Sequence, residues 1–198
     1  MSNNPKSNTL TGRRIAILAT KGFEEVELTE PKKALEAAGA KVDIVAPASG
    51  IKNGKIRSWA HTDWGAEYNV DVNLADANPS DYDALQLPGG VMNPDYLRLE
   101  PKAIAFVKSF VLEGKPIAAI CHAPWTLINA GVAKGRTLTS WPSLETDLRN
   151  AGAEWVDQQV VVDKDLVTSR KPDDLPAFNI KMVEVFSKAA GKQQHAAA

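Results

Sequence analysis

The sequence predicts an α/β protein with a mainly parallel central sheet that is covered by helices on both faces. Three observations predict this class: short continuous apolar runs, helical stretches between them, and glycines where those helices end. Continuous apolar strands are typical of parallel sheets buried on both faces, and alternating strands and helices build such sheets through crossover connections. The 198 residues are enough for one domain with a substantial core.

The predicted elements alternate along most of the chain. In order, they are strand 14–19, helix 27–38, strand 41–46, strand 84–87, helix 101–113, strand 117–120, helix 125–130, strands 137–139 and 160–162, and a final helix from about 174 to 190. Gly39 and Gly114 follow two of these helices, where glycine commonly ends a helix. Residues 49–73 interrupt the alternation, and we interpret them as a β-hairpin or an extended excursion.

Both ends of the chain are polar or rich in small residues, and they predict flexible tails over residues 1–12 and 191–198. The second tail includes His195. Between them, residues 13–190 contain no internal repeat and no linker, so we expect a single domain.

The composition excludes several function classes. The net charge of −1 gives no basic surplus for binding nucleic acid, and no apolar run is long enough to span a membrane. The polar N-terminus lacks the apolar segment of a secretory signal. A single cysteine excludes an internal disulfide and indicates a reducing cytoplasm. The three histidines are far apart in sequence, so their spacing predicts no metal site.

The only cysteine, Cys121, lies between a predicted strand and a predicted helix. Ala119 and Ala123 flank it at a distance of two residues, and a nucleophile elbow requires such small neighbours because its turn is tight. Pro124 suits the first turn of the following helix, whose N-terminus would favour a thiolate. Because a lone cysteine is often a buried packing residue, the spacing alone leaves both a nucleophile and a packing role open.

Two more motifs follow predicted strands and therefore lie at the same sheet edge as Cys121. In open parallel sheets, ligands bind at this carboxyl edge. The first motif, residues 22–27, contains Glu24, which is a candidate acid or proton shuttle but equally an acidic residue favoured by a helix N-terminus. The second is Pro88-Gly89-Gly90. The backbone N–H groups of Gly90 and His122 are candidate oxyanion donors.

Several motifs in this order resemble the ThiJ/PfpI superfamily, and within it the PfpI-type intracellular proteases and bacterial general stress proteins, which are similar to class I glutamine amidotransferases. The resemblance extends from about Arg14 to the C-terminal helix. It is carried by residues 22–28, 83–90, 94–98, 114–124, 150–155 and 168–176.

This resemblance implies a flavodoxin-like three-layer sandwich with Cys121 as the nucleophile. It places the glutamate that contacts the cysteine at Glu24, the adjacent histidine at His122, and the oxyanion donors at Gly90 and His122. It also implies that Asp95 of a neighbouring subunit orients the histidine, so that the protein is a dimer or a larger homo-oligomer. Two departures from the family pattern are Ala123 in place of glycine, and one additional residue after Gly90.

The resemblance further implies a cytoplasmic cysteine-dependent hydrolase or stress protein that acts on carbonyl substrates without a cofactor or metal. Two substrate classes fit: the amide bonds of peptides, and methylglyoxal or its glycation adducts on proteins. The alternative is a non-enzymatic stress protein that senses oxidants through oxidation of Cys121.

Overall fold

A computed structural model describes residues 8–195 of the chain. It contains the strands β1 (Arg14–Leu18), β2 (Lys41–Ala46), β3 (Lys55–Ala60), β4 (Asp63–Asn69), β5 (Val72–Asn73), β6 (Ala84–Leu87), β7 (Ile117–Ile120), β8 (Thr137–Leu138), β9 (Glu154–Trp155), β10 (Val160–Asp163) and β11 (Leu166–Ser169). Its α-helices are α1 (Glu25–Ala37), α2 (Met92–Leu97), α3 (Pro101–Leu112), α4 (Pro124–Asn129), α5 (Glu145–Asn150) and α6 (Leu175–His195).

The central sheet has seven strands in the order β10-β11-β7-β6-β1-β2-β5. Strand β10 is antiparallel to β11, and all the other neighbours in this sheet are parallel. Successive side chains of a strand point to opposite faces, so β1 contributes Ile15 and Ile17 to one core and Ala16 and Leu18 to the other. Helices α1 and α6 cover the first face, and α3, α4 and α5 cover the second. The predicted α/β sandwich with a mainly parallel sheet is therefore confirmed.

Strands β3 and β4 form a separate antiparallel hairpin, which confirms the interpretation of residues 49–73. Two backbone hydrogen bonds attach this hairpin to the loop after β1: the Trp59 N–H donates to Phe23 O at 2.7 Å, and the Gly22 N–H donates to Arg57 O at 2.8 Å. These bonds place the hairpin beside the carboxyl end of β1, where it forms one wall of the candidate site.

Two elements that position the site were not predicted. Strand β11 lies inside the sheet, between the edge strand β10 and β7, although its second half, Thr168 and Ser169, is polar. Both residues are buried, and their hydroxyl groups form hydrogen bonds with Thr139 N–H and Gln159 O. The other element is helix α2, which begins two residues after Gly90.

The structure describes part of each predicted tail, while residues 1–7 and 196–198 lie outside the described part of the chain. Leu10 is 1% exposed and its N–H donates to Ala38 O, so this side chain packs on the domain. Helix α6 continues to His195 and so includes residues 191–195. Within residues 8–195, no helix combines the length and the apolar character needed to cross a bilayer.

Candidate active site

The carboxyl ends of β1, β6 and β7 meet at one cavity of about 600 Å³. The loop after β11 and the β3–β4 hairpin complete its wall. It is lined by Glu24, Glu27, Trp59, His61, Gly90, Val91, Met92, Cys121, His122, Trp141, Lys171, Pro172 and Asp173. The structure thus brings Glu24, Gly90, Cys121 and His122 together, and Asp95 is not among the lining residues.

Cys121 has the backbone of a nucleophile elbow. Its φ of 63° lies in the left-handed region, which is unfavourable for a residue other than glycine. The Cys121 N–H donates to Ser169 O on the neighbouring strand β11, and the Ala123 N–H closes the turn onto Ile120 O. Ala123 is 1% exposed, so the small residue that the sequence placed here packs tightly. The sharp turn directs the Cys121 side chain into the cavity.

Gly89 and Gly90 have no space for side chains. A Cβ on Gly89 would lie 2.6 Å from the Cβ of Cys121 and 2.6 Å from Oε2 of Glu27. Gly90 has a φ of 75°, and a Cβ there would lie 2.7 Å from the backbone N of Glu24. The turn after β6 therefore approaches both the thiol and the start of α1 closely, which only glycine permits.

The structure corrects the assignment of the glutamate that contacts Cys121: it is Glu27, and not Glu24. The Glu27 carboxyl is buried beside Cys121, and its Oε2 accepts the Gly89 N–H at 2.9 Å. Burial, and then the charge of Glu24, raise the pKa of Glu27 from 4.5 to about 8. Because Glu27 lies inside the first turn of α1, its side chain points inward toward the elbow, whereas Glu24 precedes the helix.

Glu24 lies in the cavity wall with a different environment. Its Oε1 is buried without a hydrogen-bond partner, and Nδ1 of the exposed His61 ring is 3.7 Å away. Burial raises its pKa. Its side chain makes no capping hydrogen bond to α1, so the alternative role at the helix N-terminus has no hydrogen bond to support it.

Glu25, the third acid of the motif, attaches α1 to the hairpin. Its Oε2 accepts hydrogen bonds from the Ser58 hydroxyl and the Ala66 N–H. These bonds lower the pKa of Glu25, so it stays ionised and structural at neutral pH. The three neighbouring glutamates thus have three different environments.

The thiolate expected from the helix N-terminus is not what the structure shows. Burial raises the pKa of the Cys121 thiol well above its ordinary value of 9.0, and the Glu27 carboxylate adds to this effect where it is ionised, above about pH 8. Helix α4 has only six residues, so its dipole is weak compared with the loss of solvation. Cys121 is therefore a protonated thiol at rest and needs a base.

His122 is placed to be that base. Its Nδ1 is 3.1 Å from the Cys121 Sγ, and burial lowers the pKa of the imidazole from 6.5 to about 4. A neutral imidazole has one unprotonated nitrogen, which can accept the thiol proton. The thiol proton can therefore pass to this nitrogen without a preformed ion pair.

The two candidate oxyanion donors lie beside the sulfur. The backbone N–H groups of Gly90 and His122 both act to lower the pKa of the Cys121 thiol, against the larger effect of burial. Gly90 follows β6 and His122 follows β7, so the two groups come from neighbouring strands at the sheet edge. Backbone N–H groups beside a nucleophile are the donors from which an oxyanion hole is built.

Asp95 is exposed on helix α2, near the cavity but outside it. Within residues 8–195, no carboxylate forms a hydrogen bond with the His122 ring, and a role for Asp95 therefore depends on a second subunit. Asp95 lies inside α2 and does not cap it, because the N-cap position is Val91.

Sequence reasoning missed three further residues of the site. Asn93 is fully buried in the segment that is one residue longer; its Oδ1 accepts the Thr20 N–H, and its Nδ2 donates to Pro88 O at 2.8 Å. Trp59 and Trp141 form aromatic walls of the cavity. No local signal marked the two tryptophans, because each reaches the site from an element distant in sequence. Glu27 did carry a signal, because it belongs to the same acidic motif after β1 as Glu24.

The described residues 8–195 contain no group of three or more His, Cys, Asp or Glu side chains arranged to hold a metal ion.

These features define a class of α/β cysteine proteins. In that class, the cysteine lies on a strained strand-to-helix turn of a parallel sheet, and a buried glutamate lies beside its sulfur. The DJ-1/PfpI family model matches residues 13–185, and this chain belongs to that family. Similar curated proteins include general stress protein 18 of Bacillus subtilis, which is 43% identical over 178 residues and covers 89% of this chain and 99% of its own length.

Two other relatives have names that indicate different activities. Protein/nucleic acid deglycase 2 of Escherichia coli is 45% identical over 170 residues, which cover 84% of this chain and 94% of that protein. The putative cysteine protease YraA of Bacillus subtilis is 43% identical over 167 residues, with coverages of 84% and 94%.

A solved two-domain protein of Anabaena variabilis, with DJ-1/ThiJ/PfpI-like and ferritin-like domains, confirms the fold. It is similar to this chain with a TM-score of 0.80 and 32% identity, over 87% of this chain and 47% of that one.

Proposed function

We propose that this protein is a cytoplasmic, cysteine-dependent stress hydrolase that acts on carbonyl substrates, either peptide amide bonds or methylglyoxal and its glycation adducts. The observation that carries the proposal is the 3.1 Å contact between the Cys121 Sγ and Nδ1 of a neutral His122, inside a cavity with two backbone donors. This arrangement combines a nucleophile, a base and an oxyanion site.

In the proposed reaction, the Cys121 sulfur forms a bond with the carbonyl carbon while its proton passes to Nδ1 of His122. The carbonyl π electrons move to the oxygen, which the N–H groups of Gly90 and His122 stabilise. In amide hydrolysis, the tetrahedral intermediate then expels the amine, which takes the proton from His122. Water cleaves the resulting thioester and restores the thiol.

The two cavity glutamates have separate roles in this proposal. Glu27 carries a proton below about pH 8, so it adds no negative charge beside the sulfur, and it exchanges that proton with the thiol or the substrate. Glu24, whose Oε1 has no partner, is a second acid or a hydrogen-bond acceptor for the substrate. An aldehyde adduct offers a hydroxyl hydrogen to such an acceptor, which makes Glu24 suited to dicarbonyl substrates.

The names of the relatives support both substrate classes, since they include a deglycase and a putative cysteine protease. Stress proteins are also among them.

A turnover assay tests the proposal. The protein and its Cys121→Ala variant are incubated with methylglyoxal, a glycated peptide and casein, and product is measured per mole of protein. We expect many turnovers on at least one substrate, and none with Cys121→Ala at an unchanged circular dichroism spectrum. Activity that survives in Cys121→Ala, or less than one product per protein with every substrate, would contradict a cysteine hydrolase.

A redox sensor remains a second candidate because of the protonated Glu27 beside the thiol. Peroxide oxidises a cysteine first to a sulfenic and then to a sulfinic acid, each step transferring one oxygen and releasing water. A protonated Glu27 would donate a hydrogen bond to a sulfinate oxygen and stabilise it. Stoichiometric sulfinate by mass spectrometry, in a protein without turnover, would favour this role.

We also propose that Asp95 of a neighbouring subunit orients His122. A carboxylate at the free ring nitrogen would fix the tautomer in which Nδ1 is unprotonated, and this chain supplies no such carboxylate within its described residues. Asp95 is exposed on α2, close to the cavity, so it is available to a partner.

Complementation between subunits tests this role. We expect Asp95→Ala and Cys121→Ala each to lose activity alone, and mixed oligomers of the two to regain part of it, because one subunit then holds an intact thiol and its partner an intact Asp95. A tagged copy of each variant verifies that hybrids form. A fully active monomer, or hybrids without recovered activity, would exclude the role in trans.

A further inference from the structure

The His122 ring lies against two tryptophans that come from different parts of the fold. The Trp141 ring is stacked on it, with ring centroids 5.7 Å apart and an angle of 22° between the planes. The Trp125 ring contacts it edge-on, at 5.3 Å and 63°. Both arrangements are favourable for aromatic pairs. The imidazole thus has one preferred plane, and that plane brings Nδ1 to the Cys121 sulfur.

Trp141 is held in place by its own backbone. Its N–H donates to Cys121 O at 2.9 Å, and its carbonyl accepts the Ser140 hydroxyl at 2.9 Å. The Ser140 hydroxyl in turn accepts the Trp155 Nε1–H at 2.9 Å. A direct backbone hydrogen bond therefore joins Trp141 to the residue that carries the thiol, and the stack on His122 moves with the elbow.

Packing alone does not explain Trp141, because 38% of the residue is exposed to solvent at the cavity wall. A large apolar side chain at this position covers the imidazole face that would otherwise meet water. We propose that Trp141 is a positioning residue, whose indole holds the His122 ring in the plane that places Nδ1 against the Cys121 sulfur. This inference rests on the proposed role of His122 as the base.

Other groups around the same cavity also influence His122. Glu24 and Glu27 line it from the start of α1, His61 from the hairpin turn, and Lys171 and Asp173 from the loop after β11. The Cys121 thiol is in direct contact, and Asp147 reaches Trp125 through a hydrogen bond to its indole. Trp141 has no charge, so it acts only by excluding water and restricting the ring.

Removal of the Trp141 indole should therefore change the pKa of His122 in a predictable direction. Water that enters beside His122 stabilises the imidazolium, and the neighbouring carboxyl groups add to this effect once they ionise. We expect the pKa of His122 to rise from about 4 toward its ordinary 6.5. The ring also becomes free to rotate about χ1 and χ2, so the neutral form becomes a mixture of tautomers.

Nitrogen-15 NMR of the imidazole tests the proposal without any substrate, so its result is independent of whether the protein is a hydrolase. Spectra of the wild type, Trp141→Phe, Trp141→Leu and Trp141→Ala are compared near pH 6.5, with His122 assigned by its loss in His122→Asn. We expect His122 to be neutral, with Nδ1 unprotonated, in the wild type and in Trp141→Phe. In Trp141→Leu and Trp141→Ala, we expect a substantial imidazolium fraction and mixed tautomers.

A matched control removes a tryptophan elsewhere. Trp64 is 39% exposed on the β3–β4 hairpin, and Trp64→Ala should leave the His122 signals unchanged. Trp141→Leu keeps apolar volume and remains informative if Trp141→Ala does not fold. Repeating the spectra in a Cys121→Ala background separates titration of the thiol from titration of the ring.

Kinetics on an accepted substrate add a second readout. A positioning role predicts that Trp141→Leu lowers kcat by roughly tenfold to a hundredfold, as small misplacements of catalytic groups do, with Trp141→Phe restoring most of it. Unchanged His122 protonation and tautomer in folded Trp141→Leu would overturn the proposal. A change in KM alone would also overturn it, since that result makes Trp141 only a wall of the substrate cavity.

Discussion

Replacement of Glu27 by glutamine is expected to lower kcat/KM by about 10²–10⁴, the usual range for a group that takes part in proton transfer. Glutamine keeps the size of the side chain and can still accept the Gly89 N–H that Glu27 accepts at 2.9 Å. It cannot exchange a proton with the sulfur, so the loss reports the chemistry of the carboxyl group. Steady-state kinetics on the substrate identified by turnover provide the measurement.

The two neighbouring glutamates are matched controls. Glu24→Gln keeps the cavity shape and should cost less, because Glu24 makes no contact with the thiol. Glu25→Gln weakens the hydrogen bonds to Ser58 and Ala66, so it should lower stability by about 1 kcal/mol while leaving activity nearly unchanged. A loss in Glu24→Gln equal to that in Glu27→Gln would make Glu24 the principal acid.

The pH dependence of stability gives a second test of Glu27. Its pKa is raised in the folded state, from 4.5 to about 8, so the folded protein holds this proton more tightly than the unfolded chain. The resulting stabilisation is fully present below pH 4.5 and is lost as the pH rises through about 8. Glu27→Gln cannot ionise at this position and serves as the reference. Between pH 4.5 and about 8, the free energy of unfolding of the wild type should fall by about a few kcal/mol relative to that of Glu27→Gln, because each unit of pKa shift corresponds to about 1.4 kcal/mol. Urea unfolding of both proteins at several pH values measures this difference, and parallel stability curves would contradict a buried Glu27.

Substitution of Gly89 by alanine is expected to have the second large effect, on stability and activity together. The added Cβ would lie 2.6 Å from the Cβ of Cys121, 2.6 Å from Oε2 of Glu27 and 2.7 Å from Ile120 O. The Cβ of Cys121 and the carbonyl oxygen of Ile120 both belong to the nucleophile elbow. The turn after β6 therefore cannot make room for a new side chain without moving the nucleophile. Overpacking of this kind typically costs about 1–3 kcal/mol, and activity should fall at least tenfold because the thiol and carboxyl are displaced.

Gly114→Ala is a suitable comparison for this effect. Gly114 has a φ of 64° but no atom within 4 Å of an added Cβ, so alanine there introduces backbone strain of about 1–2 kcal/mol without a clash. Thermal denaturation should show a loss of stability in both variants, whereas only Gly89→Ala should lose activity. Normal activity in a folded Gly89→Ala protein would show that the turn tolerates a side chain and that its approach to Cys121 is not needed.

Local sequence patterns were sufficient to predict most strands of the central sheet. Strands β2, β6 and β7 begin and end where the sequence predicted, because a continuous apolar run between turn residues has few alternatives to a buried parallel strand. Strand β11 was missed because half of it is polar, and the buried hydroxyl of Thr168 is acceptable only because Thr139 N–H donates to it. Such a partner is visible only when the chain is folded.

The features of the candidate site also fall into those that local sequence predicted and those that only the folded chain shows. The elbow at Cys121 and the glycines of the turn after β6 were predictable, since a tight turn and a close backbone approach restrict which residues can occupy them. The choice between Glu24 and Glu27 was not, because both follow β1 within one helical turn and local sequence does not show which carboxyl lies beside the sulfur.

The sequence by itself determined the alternation of most strands and helices, the small residues at the elbow and the position of the only thiol, because these depend on steric limits and on short-range periodicity. Only the tertiary structure decided the protonation states. Burial keeps Cys121 as a thiol and His122 neutral, and it gives Glu27 a pKa of about 8, in each case by removing water from the charged form. The tertiary structure also brought Trp141 onto the His122 ring, because solvation and packing of that kind arise from segments that are distant along the chain.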